Sequence, residues 1–553
     1  MPGPERDSRP WPLISAPTEV STHAALAAAA FLALLLLVSA AYYYLQDEKL
    51  VRKIEVVGVQ PGDTDSKTKQ RYAENARSIL EEATKKVCHF SHTAWSRVSL
   101  TDGKSCLGQL RRPFQVLTPT GPLIILPTKH VEEIRSEKDF SFHETIAKSS
   151  FVRLPGLSLY GGMAGFRFIV EHDAVFIEMV RTHLTRKLSK IMGALSTEAT
   201  LSLEQNFPPS KDWTPVVFYP TAVHVVARLS ARIFLGEEAC RNEEWLRITG
   251  SYAIDAVHFI RALRNWPIPV RPIVQYLLPE RRRLARCEQE ARNIIEALIE
   301  KRRQQSKDAA TPVEFTDGLQ WQEDASNRHQ EATDVVAGQL ALALTAIHTT
   351  SSALTRVLFD LCQHPEWVEP LREEVRRVLA EEGGEWRKST LLKMRLMDSV
   401  LKESQRISPV HLTLMTRVAM ADVTLPSAPD LHIPKGSMVA VYSSEALRDP
   451  VTFPDPERFV GDRFLRLREE EGNRNKWQYV TTSAQHLGFG HGTKSCPGRF
   501  FAAAELKVAL AHMLLMYDWR FAEGCEGRNI EVAQDIIPDP TAQVCFKRRY
   551  EDI

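Results

Sequence analysis

A cysteine sits in a glycine-punctuated loop, Phe489-Gly-His-Gly-Thr-Lys-Ser-Cys496-Pro-Gly498, and the chain passes from it straight into a helical pattern. Gly490, Gly492 and Gly498 let the backbone bend where a Cβ would obstruct it. N–H groups of the loop and of the following helix start would temper charge on the sulfur and lower its pKa. Lys494 adds a cation that can donate to a carboxylate. After the cysteine, Phe500, Phe501, Ala504, Val508 and Met513 recur at roughly helical spacing among alanines, small enough to lie close to a flat group. A free cysteine is ordinarily a buried, inert hydrophobe, and that reading stands beside the sharper one, in which the loop presents a thiolate to a haem iron.

Two further patterns lie upstream. Glu403-Ser-Gln-Arg406 puts acid and base on one face of a helix, a spacing that usually gives only a solvated pair of little worth. Pro456-Glu457-Arg458-Phe459 lies within the run Phe453-Pro-Asp-Pro-Glu-Arg-Phe. Together the three motifs, in this order, resemble the cytochrome P450 family, whose cysteine loop is matched at Phe489, Gly492, Lys494, Cys496 and Gly498, with lysine where most members have arginine. The resemblance implies a mainly α fold with a small β portion, Cys496 as axial ligand of haem b (iron protoporphyrin IX), and Glu403, Arg406 and Arg458 as a buried structural triad. Three charges buried together are tolerable only when mutually paired.

From Glu331 to about Cys362 the chain predicts one long helix with a small apolar middle, interrupted only by Gly338. The resemblance makes it the helix that crosses the distal face of the haem. There Thr345-Ala346-Ile347-His348-Thr349-Thr350 places Thr349 on the oxygen-activating alcohol and His348 where an acid is customary. An imidazole carries protons near neutral pH, so His348 either relays them or packs against another helix. Arg417, eleven residues after Arg406, lies where the family often binds a haem propionate, and it suits an exposed strand equally well. By the same topology the substrate pocket draws on Leu344, Ala346, Val410, Leu412 and Leu414, with the turn near Ile537 to Thr541; residue by residue these also read as ordinary core.

With 553 residues, 44% hydrophobic and 25% charged, the chain can bury a large core, and a net charge of +1 gives no field for nucleic acid. The 8 cysteines form no C-x-x-C pair, which argues against zinc, a disulfide framework or a c-type haem and for a reducing compartment.

Ala24 to Leu45 carries no charge, is long enough to span a bilayer, and ends on Tyr42, Tyr43 and Tyr44. Arg6 and Arg9 precede it, whereas Lys49, Arg52, Lys53, Lys67, Lys69 and Arg71 follow, so the bulk of the chain is expected in the cytosol. A cleavable signal peptide with Val38-Ser-Ala40 as its site is the competing reading. The predicted organisation is a lumenal arm at 1–23, a single transmembrane helix at 24–45, a polar linker at 46–75 with a turn at Pro61-Gly62-Asp63, and a catalytic domain at 76–553. A second polar stretch, Gln304 to Asn327, reads as a surface connection.

No flavin or nicotinamide motif is present, so electrons must come from another protein. The resemblance implies NADPH–cytochrome P450 reductase, an endoplasmic reticulum membrane, dioxygen, and a lipophilic substrate of terpenoid or related fungal secondary metabolism. A P450-fold enzyme that rearranges or dehydrates its substrate without dioxygen is the alternative.

Overall fold

The computed structural model describes residues 50–89, 112–309 and 313–550, together with Leu26, Ala27, Ala30 and Leu34. Those four are helical and exposed, and the rest of the predicted span at 24–45 lies outside the described residues, as does the arm at 1–23. No helix among the described residues is long and apolar enough to cross a membrane.

The principal helices are α1 (Asp65–His89), α2 (Phe142–Ser150), α3 (Ala164–Glu171), α4 (Thr185–Asn206), α5 (Phe218–Phe234), α6 (Glu243–Arg264), α7 (Pro279–Asp308), α8 (Gly318–His329), α9 (Val335–Gln363), α10 (Val368–Glu381), α11 (Arg395–Ile407), α12 (Arg463–Glu469) and α13 (Arg499–Met516). Side-chain caps start several of them. Ser141 accepts from Glu144 N at 3.1 Å, Asn242 from Trp245 N at 3.0 Å, and Asp334 from Val336 N at 2.9 Å, each worth about 1 kcal/mol.

The β portion is small. One sheet runs β1 (Val56–Val57), β2 (Phe114–Thr118), β3 (Gly121–Leu126), β9 (Met438–Tyr442), β6 (Thr413–Ala419), β4 (Phe140–Ser141). A second joins β10 (Tyr517–Phe521), β13 (Gln543–Arg548) and β5 (Thr214–Val217), and two hairpins pair β7 (Val423–Leu425) with β8 (Ala428–Ile433) and β11 (Asn529–Val532) with β12 (Asp535–Pro538). The main core surrounds α9, which packs on α3, α5, α6 and α13. This is the mainly α architecture that the sequence implies.

Gly338 is explained by helix packing: a Cβ there would stand 2.2 Å from the Gln322 amide of α8, so the glycine lets α8 close on α9. The polar stretch 304–327 is therefore no mere connection. α7 extends to Asp308, and α8 begins at Gly318 with Trp321 almost wholly buried. The expected linker also carries structure. β1 pairs with β2, α1 starts at Asp65, and Tyr72 is buried against the sheet, because apolar residues among the charges supply a packing face that mean polarity hides. The turn at Pro61-Gly62-Asp63 is present, closed by Asp63 N donating to Gln60 O at 3.0 Å.

Candidate functional site

Cys496 lies two residues beyond a helical turn, Gly492–Lys494, and just before α13. Its own N–H donates to Phe489 O at 2.8 Å, which closes the loop, and the Phe489 ring packs edge-on against Tyr479 with centroids 5.1 Å apart. Gly492 has φ +78°, and a Cβ would stand 2.6 Å from Arg135 Cβ, so this position is glycine for two independent reasons. Gly492→Ala is expected to displace the loop and reduce haem retention several-fold, read as the haem-to-protein absorbance ratio after purification.

Burial pushes the Cys496 thiol up, while hydrogen bonds from the Gly498 and Arg499 backbone N–H groups and the charges of Arg499 and Arg181 pull it down. Cys362 has no such offset: burial, Asp360 and Cys545 all push it up, to about 12. Gly498 has ordinary helical backbone and only Val180 Cγ1 near a would-be Cβ, at 3.8 Å, so neither strain nor a protein neighbour demands glycine there.

On α9, Thr345 and Thr349 are exposed within a helix that is otherwise largely buried. Thr345 Oγ1 donates to Ala341 O at 2.9 Å and Thr349 Oγ1 to Thr345 O at 2.8 Å, which leaves each hydroxyl's lone pairs for an incoming donor. His348 is turned elsewhere. Its Nε2 lies 2.8 Å from Gly250 O on α6 and its Nδ1 3.4 Å from the Tyr219 hydroxyl on α5. Adjacent residues of a helix point about 100° apart, so His348 ties α9 to its neighbours, and burial depresses its pKa, opposed only by the Gly250 bond. Of the two roles the sequence left open for His348, these contacts are those of packing against another helix and not of a group facing the threonine pair.

Arg417 is 5% exposed on β6, where the ladder with β9 shifts register between Leu414 and Arg417 and Met415 takes φ +57°. Its guanidinium donates to Thr416 O at 2.8 Å and stacks on Phe142, with no carboxylate partner among the described residues. Burial alone lowers its pKa to about 10. A buried cation with no counter-charge is costly, and an anion brought by a cofactor would satisfy it. The charges of Arg417 and Lys494 both act on His143, which also contacts Asp173 at 3.3 Å. Arg181 donates to Thr493 O at 2.6 Å and reaches Cys496 electrostatically. His143 and Arg181 escaped the sequence reading because no local motif marks them.

The triad is real but its third member differs. Glu403 accepts from Arg406 Nε at 2.8 Å and Nη2 at 2.9 Å, from Val460 N at 2.9 Å, and from Arg463 Nε at 3.0 Å. Arg458 is exposed and lends only its carbonyl, 3.2 Å from Arg406 Nη2 and 3.1 Å from Arg463 Nη2. The positive φ of Asp455 turns the carbonyls of this segment inward, and a second Arg-Phe pair, Arg463-Phe464, follows the one that was read.

Of the expected pocket residues, Leu344, Ala346 and Val410 keep exposed surface. Leu412 does not line a pocket: it is fully buried with Tyr72, Phe114 and Ile536, and Leu414 packs against the core on the sheet's other face. Leu412 precedes β6 and Leu414 lies within it, and the two are taken up by the cores on either side of the sheet.

A thiol held by backbone N–H groups at a helix start, an uncompensated buried arginine with further cations beside it, and an exposed threonine pair on a buried helix fit a haem: sulfur for the iron, cations for the propionates, space over the ring. The fold and site define a haem-thiolate protein. The family model of cytochrome P450 matches residues 224–546. Cytochrome P450 monooxygenase 1 of Gibberella fujikuroi is 36% identical across 80% of this chain and 99% of its own length. The cytochrome P450 monooxygenase TRI1 of Fusarium sporotrichioides is 37% identical across 80% of this chain and 79% of its own. Retinoic acid-bound cyanobacterial CYP120A1 shares the fold, with TM-score 0.60 at 20% identity over 79% of this chain and 92% of that one. The chain belongs to the cytochrome P450 family and is a monooxygenase.

Proposed function

We propose that this monooxygenase hydroxylates or otherwise oxidises a lipophilic small molecule, a terpenoid or related product of fungal secondary metabolism, with haem b, dioxygen and electrons passed from NADPH by a separate reductase. Support comes from the threonine pair exposed on α9 beside the apolar Leu344 and Ala346, from fungal relatives named as P450 monooxygenases, and from the absence of any electron-carrier motif in the sequence. The uncharged segment Ala24 to Leu45 and the basic residues after it favour a single-pass anchor in the endoplasmic reticulum with the catalytic domain in the cytosol.

Haem, when bound through a cysteine, supplies the reductive activation of dioxygen and the oxidation of an unactivated C–H bond. Cys496 would contribute the ligand, and the Gly498 and Arg499 N–H groups would stabilise its charge. Arg417, Lys494, His143 and Arg181 would hold the propionates. Thr349 Oγ1 donates to Thr345 O at 2.8 Å and keeps its lone pairs for an incoming donor, so this exposed hydroxyl would hold or pass a proton at Oγ1.

Thr349→Ala is therefore expected to uncouple the enzyme: NADPH oxidation continues while product per NADPH falls about a hundredfold, the low end of a proton-transfer contribution. Product formation and peroxide release are measured together in the reductase-reconstituted system under isotopically labelled dioxygen. Unchanged coupling would remove Thr349 from this role. Turnover that needs neither NADPH nor dioxygen would replace the whole reading with a rearrangement or dehydration.

A further inference from the structure

Val410 to Leu412, leading into β6, lies beside the β11–β12 hairpin, with His411 bridged to Asp535. Leu412 N donates to Gln534 O at 2.8 Å, Ile536 N to Val410 O at 2.9 Å, and the turn residue Ala533, held at φ +53°, donates to Ala73 O at 2.8 Å. The hairpin tip is thus fixed between α1 and the start of β6, and such a non-glycine left-handed residue persists only where its surroundings over-determine it.

The side chains part. Leu412 and Ile536 enter the core with Tyr72 and Phe114, whereas His411 and Asp535 stay partly exposed and pair with each other. The segments that carry this pair are joined to those of the functional site. β12 is tied to α9 by Arg356, which donates to Ile536 O and lies about two turns beyond Thr349. The strand that starts beside His411 carries Arg417. Arg264, at the end of α6, lies within reach of the Asp535 charge and donates to Ser149 O at 2.8 Å.

His411 Nδ1 lies 2.9 Å from Asp535 Oδ1, and both side chains remain about half exposed, at 42% and 49%. The carboxylate fixes Nδ1 as the donor edge and orients the ring. Nε2 has no protein partner among the described residues. It accepts a proton donor when the ring is neutral and donates when the ring is charged. A hydroxyl, which both donates and accepts, matches either state, whereas a carbonyl matches only one.

We propose that His411, oriented by Asp535, is a polar subsite of the substrate chamber that hydrogen-bonds a hydroxyl group on the lipophilic substrate. This rests on the monooxygenase reading above and narrows it: the preferred substrate already carries an alcohol, so an earlier oxygenation or a hydrolysis must supply it. His411 is the contacting residue and Asp535 the positioning one.

The test uses 1-alkylimidazoles, octyl to dodecyl, and their terminal alcohols. The imidazole ligates haem iron and the tail samples the chamber, so binding is read from the shift of the Soret band without turnover. In the wild-type holoenzyme at least one alcohol is expected to bind about fivefold tighter than its alkyl counterpart, the ratio one net hydrogen bond supports. His411→Leu should abolish that ratio, and Asp535→Asn should reduce it, with the CO-difference band of each variant intact. A preference absent from wild type at every chain length, or retained in both variants, overturns the subsite. Should His411→Leu lose its haem, Asp535→Asn decides alone. Failure of every imidazole to give a nitrogen-ligated spectrum, despite haem loading, would overturn the chamber over the haem and the subsite with it.

Discussion

Replacing Cys496 by alanine is expected to abolish the long-wavelength Soret band of the reduced, CO-bound protein and to reduce turnover to background. Among the described cysteines, Cys496 alone sits at the start of a helix with two backbone N–H groups on its sulfur and arginine charges beside it. Cys240 and Cys362 are pushed up to about 12 by burial and stay protonated and inert. Cys240→Ala and Cys362→Ala are therefore expected to keep the band in full. The measurement is the CO-difference spectrum in isolated membranes for all three variants. A wild-type band at the position typical of histidine or weak ligation, with haem fully loaded, would undo the thiolate assignment and the chemistry that rests on it.

Arg463→Ala is expected to destabilise the fold by about 3–5 kcal/mol, the cost of leaving a buried ion pair partly uncompensated. Arg463 is 7% exposed and holds Glu403 together with the carbonyls of Pro454, Asp455 and Arg458. Its loss strips Glu403 of one of two buried cationic partners and frees the segment that leads to the cysteine loop. Glu403→Ala should cost at least as much, because it strands both Arg406 and Arg463. Arg458→Ala removes only an exposed side chain and leaves the carbonyl that the triad uses, so its effect should stay within about 0.5 kcal/mol. Thermal unfolding and haem retention of the three variants are the measurements. Equal losses for Arg458→Ala and Arg463→Ala would return the third position of the triad to Arg458.

This contrast marks how far the sequence reaches. The cysteine loop was legible because its requirements are local: glycines, a cation and a helix start lie within one short segment. Glu403 and Arg406 were legible because helical spacing places them on one face, and the structure seats them 2.8 Å apart. The identity of their third partner was not, since two Arg-Phe pairs occur within a few residues and only the path of the intervening turn decides which guanidinium points inward. His348 shows the same limit within one helix. Its neighbour Thr349 is exposed while His348 meets Gly250, and which helix stands on which side is a property of packing that no run of residues states.

The sequence by itself pointed to the fold class and singled out Cys496 and Thr349 as the candidate ligand and distal alcohol, because their motifs are written in contiguous residues whose spacing and backbone demands allow little else. Tertiary structure alone decided that His143 and Arg181 join Arg417 and Lys494 at the site, and which partner His411 meets. His143, Arg181, Arg417 and Lys494 come from four separate segments, and His411 meets Asp535 across a separation of 124 positions. Electrostatic and hydrogen-bond partners of that kind follow from where the chain returns on itself, and the core that brings it back is built from apolar residues that carry no mark of which polar groups they will bring together.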